Sequence, residues 1–201
     1  VNRAGQLAGA ALLEPARDAA AAATTAEPLT AARCRAGWYE GLLLHAAGDT
    51  ARRSAVWGDL LACAPDYTGY MAVLAHDDAP LARQAVAAQP DNPAAYFWLA
   101  GLAAPGEAVA LYRQGLALDP GDGRRWLALA DLLVGSDDDA ALEAYAQACL
   151  HGDPGANGCA RAAALIADRG DLETAIYYYR LSNWSEAQAR ADELERQLAG
   201  E

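Results

Sequence analysis

The sequence contains no lysine: all 15 of its basic residues are arginine, and 27 acidic residues leave a net charge of −12. Such a surface repels a phosphate backbone, so nucleic acid is not an expected partner. Phenylalanine and methionine occur once each. β-Branched residues are sparse, whereas alanine, the strongest helix former, is abundant. The composition therefore predicts an all-α protein.

The motifs that carry catalysis or hold a cofactor are also missing. There is no Gly-x-Ser-x-Gly, no His-Glu-x-x-His and no glycine-rich phosphate loop followed by lysine. The four cysteines form no Cys-x-x-Cys, and the three histidines are not spaced as metal ligands. We therefore expect neither an enzyme nor a metal or other cofactor.

Long hydrophobic runs are absent as well. The longest, such as Leu42–Leu44 and Ala19–Ala23, fall far short of the roughly 18 residues that a membrane span requires. The chain begins at Val1, with no initiator methionine and no charged-then-apolar leader. We expect it to be a trimmed product of something longer.

A pattern recurs along the chain: a small residue, an aromatic residue four positions later, and a closing proline. Its full form runs from Ala141 through Tyr145 to Pro154, which lies 34 residues after the preceding closing proline, Pro120. The pattern starts again at Ala175. A partner helix precedes each instance, and Pro or Gly at the turns stops one helix and lets the next begin.

These residues resemble the tetratricopeptide repeat, whose pattern is W-x2-L-G-x2-Y, then A-x3-F, then P over 34 residues. The resemblance implies an all-α, right-handed superhelix of antiparallel helix pairs, with about twelve helices in a single solenoid over residues 1–201. We expect a degenerate helix pair at 1–33, repeats over 34–182 and a polar capping helix at 183–201, because a terminal repeat has no neighbour to cover it. Such a repeat implies a docking surface for proteins.

The repeat that closes at Pro65 both fits and departs from this pattern. Gly41 stands where close helix packing requires a small residue, Gly48 and Asp49 form the turn, and Trp57 lies in the second helix. However, Arg53 occupies a position where a small residue is expected.

Two acidic stretches need an interpretation. The run Asp137–Asp139 is read as a helix start, with carboxylates near the positive end of the helix dipole, in preference to a metal site. Leu118–Gly123 lacks the spaced ligands and closing glutamate of a calcium loop, so we interpret it as a turn.

The cysteines fall in two neighbouring sets on the predicted helix pairs. Cys34 and Cys63 lie 14 and 15 residues from Gly48, which brings both to one end of a helical hairpin. Cys149 and Cys159 flank a turn. We predict these two disulfides, and with them an oxidising, extracytoplasmic compartment. The alternative is four buried thiols that pack as small apolar residues.

In proteins with this repeat, the first helix of each pair lines a concave face where ligands dock. We expect a protein or peptide segment to bind in that groove, and the matching candidate residues are Trp38, Tyr39, His45, Phe97, Trp98, Arg124, Asp131, Arg161 and Asp168. Phe97, Trp98 and Arg124 are the expected centre. Leu127 and Asp131 stand where a carboxylate clamp would have Lys and Asn, which disfavours binding of chaperone C-termini.

The layout as a whole also resembles the C-terminal repeat domain that follows the last membrane span in bacterial O-antigen ligase and polymerase family proteins. That resemblance implies a non-catalytic extracytoplasmic appendage, tethered through a missing upstream region and close to the membrane part of its own parent protein. An accessory role in handling polysaccharide or lipid-linked sugar is the alternative, because sugar faces stack on Trp and Tyr as readily as peptides do.

Overall fold

The computed structural model describes residues 31–62, 65–152 and 157–200, which form eleven α-helices and no strand. The all-α prediction is confirmed. The chain divides into two compact units between Leu102 and Ala103. The predicted helix pair at 1–33 lies almost entirely outside the described residues, and the single solenoid over 1–201 stays a prediction.

The described part of the first unit contains five helices, with a 3-10 turn at Pro65–Tyr67: α1 (Ala31–Ala47), α2 (Thr50–Leu60), α3 (Thr68–Leu74), α4 (Ala79–Ala88) and α5 (Pro93–Ala100). The second unit contains six in its described part: α6 (Pro105–Leu118), α7 (Gly123–Leu133), α8 (Asp138–Leu150), α9 (Asn157–Asp168), α10 (Leu172–Leu181) and α11 (Ser185–Ala199). None of these helices is long and apolar enough to span a bilayer.

Short polar signals begin and end most of these helices. Five aspartates accept a hydrogen bond from the backbone N–H three residues later and so cap the helices that follow them: Asp49, Asp78, Asp122, Asp137 and Asp171. Such caps satisfy N–H groups that the helix itself leaves unpaired. Gly48 precedes one cap with φ of 75°, a backbone conformation that glycine adopts without strain and that ends α1.

The two acidic stretches lie at the start of a helix and in a turn. Asp137 caps α8, and Asp138 and Asp139 lie in its first turn, so the interpretation as a helix start is confirmed. In the turn before α7, the Asp119 carboxylate accepts a hydrogen bond from the Gly121 N–H at 3.3 Å.

Close packing of α1 on α2 depends on Gly41. A Cβ atom at this position would lie 1.8 Å from Nε1 of Trp57, a ring with no exposed surface. Trp38 stacks on that ring with the centroids 5.3 Å apart. The prediction that close packing requires a small residue here is confirmed, and the Cβ of an alanine would already collide with Trp57.

Arg53 does not disrupt the first unit, although the repeat pattern favours a small residue there. Its side chain is 4% exposed, and its Nη2 lies 3.1 Å from Oδ2 of Asp78, the cap of α4. An ion pair with the residue that caps α4 therefore accommodates the buried arginine.

The C-terminal part of the second unit buries a cluster from α9, α10 and α11, which contains Ala163, Ile166, Ala175, Tyr179, Ala187, Ala191 and Leu194. Tyr179 is 8% exposed and Tyr177 is 60% exposed, as expected for consecutive tyrosines that cannot face one way. On α11 the exposed residues are mainly charged, and Arg180 of α10 binds its Glu195 at 2.8 Å. This is the predicted capping helix.

A disulfide joins Cys149 near the end of α8 to Cys159 near the start of α9, with the Cα atoms 4.6 Å apart. This prediction is confirmed. Cys34 is also disulfide-bonded. Its predicted partner, Cys63, lies outside the described residues.

Candidate partner-binding surface

The second unit places two of the predicted groove residues in contact. Asp131 of α7 and Arg161 of α9 are 30 residues apart in sequence, yet Nη1 of Arg161 donates to Oδ1 of Asp131 at 2.7 Å. The contact therefore links α7 and α9, the first helices of consecutive pairs. Both side chains stay accessible, at 51% exposure for Arg161 and 41% for Asp131.

Tyr145 of α8 contacts both members of this ion pair. Its hydroxyl donates to Oδ1 of Asp131 at 2.6 Å, and the Arg161 guanidinium carbon lies 6.0 Å from its ring centroid. Burial raises the pKa of the Tyr145 hydroxyl above its ordinary value, and the hydrogen bond to Asp131 raises it further, whereas the hydrogen bond to Arg161 acts in the opposite direction. The three groups therefore hold one another in a defined arrangement.

Two further predicted residues extend this pair into a row. Arg124 lies seven residues before Asp131 on α7, and Asp168 lies seven residues after Arg161 on α9. Seven residues are about two helical turns, so Arg124 lies on the same face of α7 as Asp131, and Asp168 on the same face of α9 as Arg161. Both are exposed, and neither makes an ion pair within the described part of the chain. We call Arg124, Asp131, Arg161 and Asp168 the charged row.

A depression of about 370 Å³ lies beside Arg124. Its lining combines the turn before α7 with the end of α8, and contributes three basic side chains, Arg124, Arg125 and His151, and one acid, Asp122. Asp122 is engaged as the cap of α7 and lies 3.7 Å from Nε of Arg125. The exposed Arg124 guanidinium makes this the end of the charged row suited to a carboxylate.

Two of the three candidates on α1, Trp38 and His45, lie in an aromatic cluster in the first unit. Trp38 is half-buried and stacks on Tyr67 with the centroids 4.9 Å apart and the planes inclined by 6°. His45 is half-buried, with its Nδ1 3.3 Å from Nη1 of Arg53. Tyr39 is 64% exposed. Of these three, Tyr39 presents the largest free surface.

Phe97 and Trp98 are buried in the first unit, with 6% and 5% of their surface exposed. Side chains so deeply buried offer little area to a partner. Their grouping with Arg124 as the centre of a groove joins residues of both units and stays a prediction.

Sequence reasoning did not assign Tyr145 to the candidate surface. Tyr145 occupies the aromatic position of the repeat pattern. That position predicts a packed ring but does not predict which group its hydroxyl binds. That the hydroxyl meets Asp131, 14 residues earlier, depends on how α7 and α8 pack.

No protein-family model matches the sequence, and no curated protein matches it either. Solved structures do match. Among them is the crystal structure of MamA, a tetratricopeptide-type protein, with a TM-score of 0.50 at 18% sequence identity over 84% of this chain and 90% of that chain. At this identity the likeness shows the fold alone. The chain therefore has a tetratricopeptide-like fold of helical repeats.

Proposed function

We propose that this chain is a non-catalytic protein-interaction module, and that the charged row binds an extended segment of a partner protein. The observation that supports this most strongly is the contact between Asp131 and Arg161 at 2.7 Å, which links the first helices of two consecutive pairs. Tyr145 and the ion pair position one another before a partner arrives, and side chains that are already ordered lose less entropy on binding.

The charges of the charged row determine which charged side chains the partner segment should carry. Asp131 and Arg161 largely neutralise each other, whereas Arg124 and Asp168 at the two ends have no ionic partner among the described residues. A segment that places an acidic side chain at Arg124 and a basic one at Asp168 would satisfy both ends. Along each helix the seven-residue step spans about 10 Å, so the two charges of the segment must be well separated.

A peptide library displayed on phage and selected on the whole protein tests this proposal. We expect the enriched peptides to carry an acid and a base several residues apart. Arg124→Glu and Asp168→Arg should each reverse the charge selected at one end only. The matched controls are Arg113→Glu and Glu143→Arg, which make the same charge changes at exposed positions of α6 and α8 outside the row.

The controls should leave the selected sequences unchanged. Selection of the same peptides by the wild type and by both row variants would overturn the assignment of the row. Failure to enrich any peptide from libraries of several lengths would count against peptide binding by this chain.

We also propose that the module works outside the cytoplasm, as part of a larger bacterial membrane protein. The disulfide between Cys149 and Cys159 and the bonded state of Cys34 support an oxidising compartment. The placement beside an O-antigen ligase or polymerase enzyme rests on the resemblance in layout. The full-length reading frame decides it: membrane spans just upstream of Val1 support this placement, and a cytoplasmic parent without spans contradicts it.

The alternative proposal is a role in handling polysaccharide or lipid-linked sugar. Exposed aromatic rings in the first unit favour it, because Tyr39 and Tyr70 are each 64% exposed and Tyr70 lies against Trp38 with the centroids 6.2 Å apart. A glycan array probed with the wild type and with Tyr70→Ala tests this role. Glycan binding that Tyr70→Ala abolishes would support it, and absence of binding across the array would exclude it for those glycans.

A further inference from the structure

The link between α10 and α11 contains the tripeptide Asn183-Trp184-Ser185. It has the form Asn-x-Ser, with a middle residue other than proline, which is the acceptor pattern for N-linked glycosylation. The chain has four asparagines, and none of the other three has serine or threonine two positions later. Asn183 is therefore the one asparagine of the sequence that matches this pattern.

The backbone of this link presents Asn183 to solvent. Its two neighbours, Ser182 and Trp184, have extended conformations with ψ of 141° and 135°, so the acceptor lies outside both helices. Ser182 is buried at 2% exposure, whereas Asn183 is exposed. The Asn183 side chain makes no hydrogen bond to any described residue. The carboxamide that would receive a sugar is therefore free and accessible.

The backbone on either side of Asn183 is held in place. Nε2 of Gln188 on α11 donates to the carbonyl oxygen of Ser182 at 2.5 Å and to that of Tyr179 at 3.2 Å. The N–H of Trp184 donates to the hydroxyl of Ser182 at 3.3 Å. These contacts involve the backbone and leave the Asn183 side chain out. A sugar on Asn183 would thus require no change in the packing of α10 on α11.

Large apolar side chains are exposed close to Asn183. Leu181 is 48% exposed and Trp184 is 42% exposed, and Tyr177, one turn before Leu181, is 60% exposed. The neighbouring Arg180 is engaged in ion pairs with α11. Sugars attached to asparagine are bulky and increase solubility, and their apolar ring faces stack on aromatic rings. An oligosaccharide on Asn183 would therefore cover part of this apolar surface.

We propose that Asn183 is an N-glycosylation site. The donor is an oligosaccharide linked to a polyprenyl diphosphate, and a separate transferase catalyses the step. Nδ2 of Asn183 forms a bond to the anomeric carbon of the first sugar while the bond from that carbon to the diphosphate oxygen breaks. The polyprenyl diphosphate leaves with the electron pair of the broken bond, and the proton lost from Nδ2 passes to a base of the transferase.

This inference concerns neither the charged row nor its partner, but it rests on the proposed location outside the cytoplasm. Acceptor tripeptides of this form are modified in surface loops of secreted proteins. The location and the modification have separate readouts. The state of the cysteines reports the compartment, and the mass of the peptide that contains Asn183 reports the modification.

Mass spectrometry of the full-length protein, purified from the cells that naturally produce it, tests the site. Cleavage after arginine releases the peptide from Leu181 to Arg190, in which Asn183 is the only asparagine. We expect this peptide to carry an oligosaccharide, and electron-transfer fragmentation, which keeps the sugar attached, to locate it on Asn183. The peptide that contains Asn92, a helix cap followed by proline, should be unmodified and is the internal control.

Two variants of one exposed residue make the result specific. Ser185→Ala keeps Asn183 but destroys the acceptor pattern, and it should abolish the glycopeptide. Ser185→Thr keeps the pattern and should retain the glycopeptide. Circular dichroism of both variants checks that the helices are unchanged.

Three outcomes would overturn the proposal. A glycopeptide that persists in Ser185→Ala would show that the acceptor pattern is not used, and a sugar located on a serine would show a different modification. An unmodified peptide from protein with the Cys149–Cys159 disulfide formed would exclude the modification while leaving the proposed location intact. Four free thiols together with unmodified Asn183 would contradict the proposed location as well.

Discussion

Each unit contains an arginine–aspartate pair that joins helices distant in sequence, and the two pairs differ sharply in burial. In the first unit Arg53 and Asp78 are 4% and 10% exposed. In the second unit Arg161 and Asp131 are 51% and 41% exposed. A buried pair that loses one partner leaves a charge without water, whereas an exposed pair loses little when broken. The same chemistry therefore serves packing in one unit and surface organisation in the other.

The surroundings of the two pairs explain the difference. Asp78 is held by the Ser54 hydroxyl and by the Leu81 N–H as well as by Arg53. The guanidinium of Arg53 also lies 5.4 Å from the centroid of the Trp57 ring. Each charge thus has more than one partner, which helps a buried ion pair to be tolerated, although Nε of Arg53 is buried without a hydrogen bond among the described residues. By contrast, the pair in the second unit remains accessible to a partner.

Breaking the buried pair should have the largest effect. Arg53→Ala restores the small residue of the repeat pattern but leaves the Asp78 carboxylate buried without its main partner. We expect a loss of about 3–5 kcal/mol in the free energy of unfolding, measured by urea denaturation.

Asp78→Asn combined with Arg53→Ala provides the control. Asparagine caps a helix about as well as aspartate, so the α4 cap stays while the unpaired charge is removed. The double variant should recover part of the lost stability. If Arg53→Ala alone proved neutral, the buried pair would contribute nothing that a small residue cannot.

Removal of the disulfide in the second unit should have the next largest effect. Cys149 and Cys159 are 10 residues apart, and closing so short a loop stabilises by roughly 3 kcal/mol on the chain-entropy model. The variant Cys149→Ala with Cys159→Ala should lose about this much in urea unfolding.

Non-reducing peptide mapping of the wild type provides the check on connectivity. It should recover the peptide that joins Cys149 to Cys159 and a second peptide that joins Cys34 to Cys63. Four alkylatable thiols in protein purified without reductant would remove the argument for an oxidising compartment. Mapping of Cys34 to another partner would contradict only the first-unit prediction.

The exposed pair should show the smallest effect on stability. Arg161→Ala should change the free energy of unfolding by no more than about 1 kcal/mol, and salt should diminish the difference because exposed charges are screened. A loss as large as that of Arg53→Ala would show that the two pairs are equivalent and would remove the contrast between them.

The stability of the protein at alkaline pH provides a further test of the exposed pair, because Tyr145 is hydrogen-bonded to both of its members. Its pKa is raised in the folded protein, so the folded state holds this proton more tightly than the unfolded chain does. The resulting stability is fully present below the ordinary tyrosine pKa of about 10 and is lost as the pH rises through the folded pKa. Tyr145→Phe should flatten this part of the profile, and Tyr177→Phe, which removes an exposed tyrosine hydroxyl, is the matched control.

Much of the helical layout could be read from local sequence. Pro, Gly and Asp at the turns set where helices begin and end, because capping involves residues only two to four positions apart. Gly41 and the pairing of Cys149 with Cys159 were also predictable, since each follows from positions along one hairpin or turn. The candidate surface was predicted only as a set of helix positions.

The sequence by itself thus determined the helix class, the repeat pattern, the polar capping helix and one disulfide. Tertiary structure alone decided that Arg53 meets Asp78, that Tyr145 supports Asp131 and Arg161, and that Phe97 and Trp98 are buried. The reason is physical. Helix caps and turns depend on neighbours along the chain, whereas these contacts depend on the distance and rotation between packed helices, which no single segment of the sequence encodes.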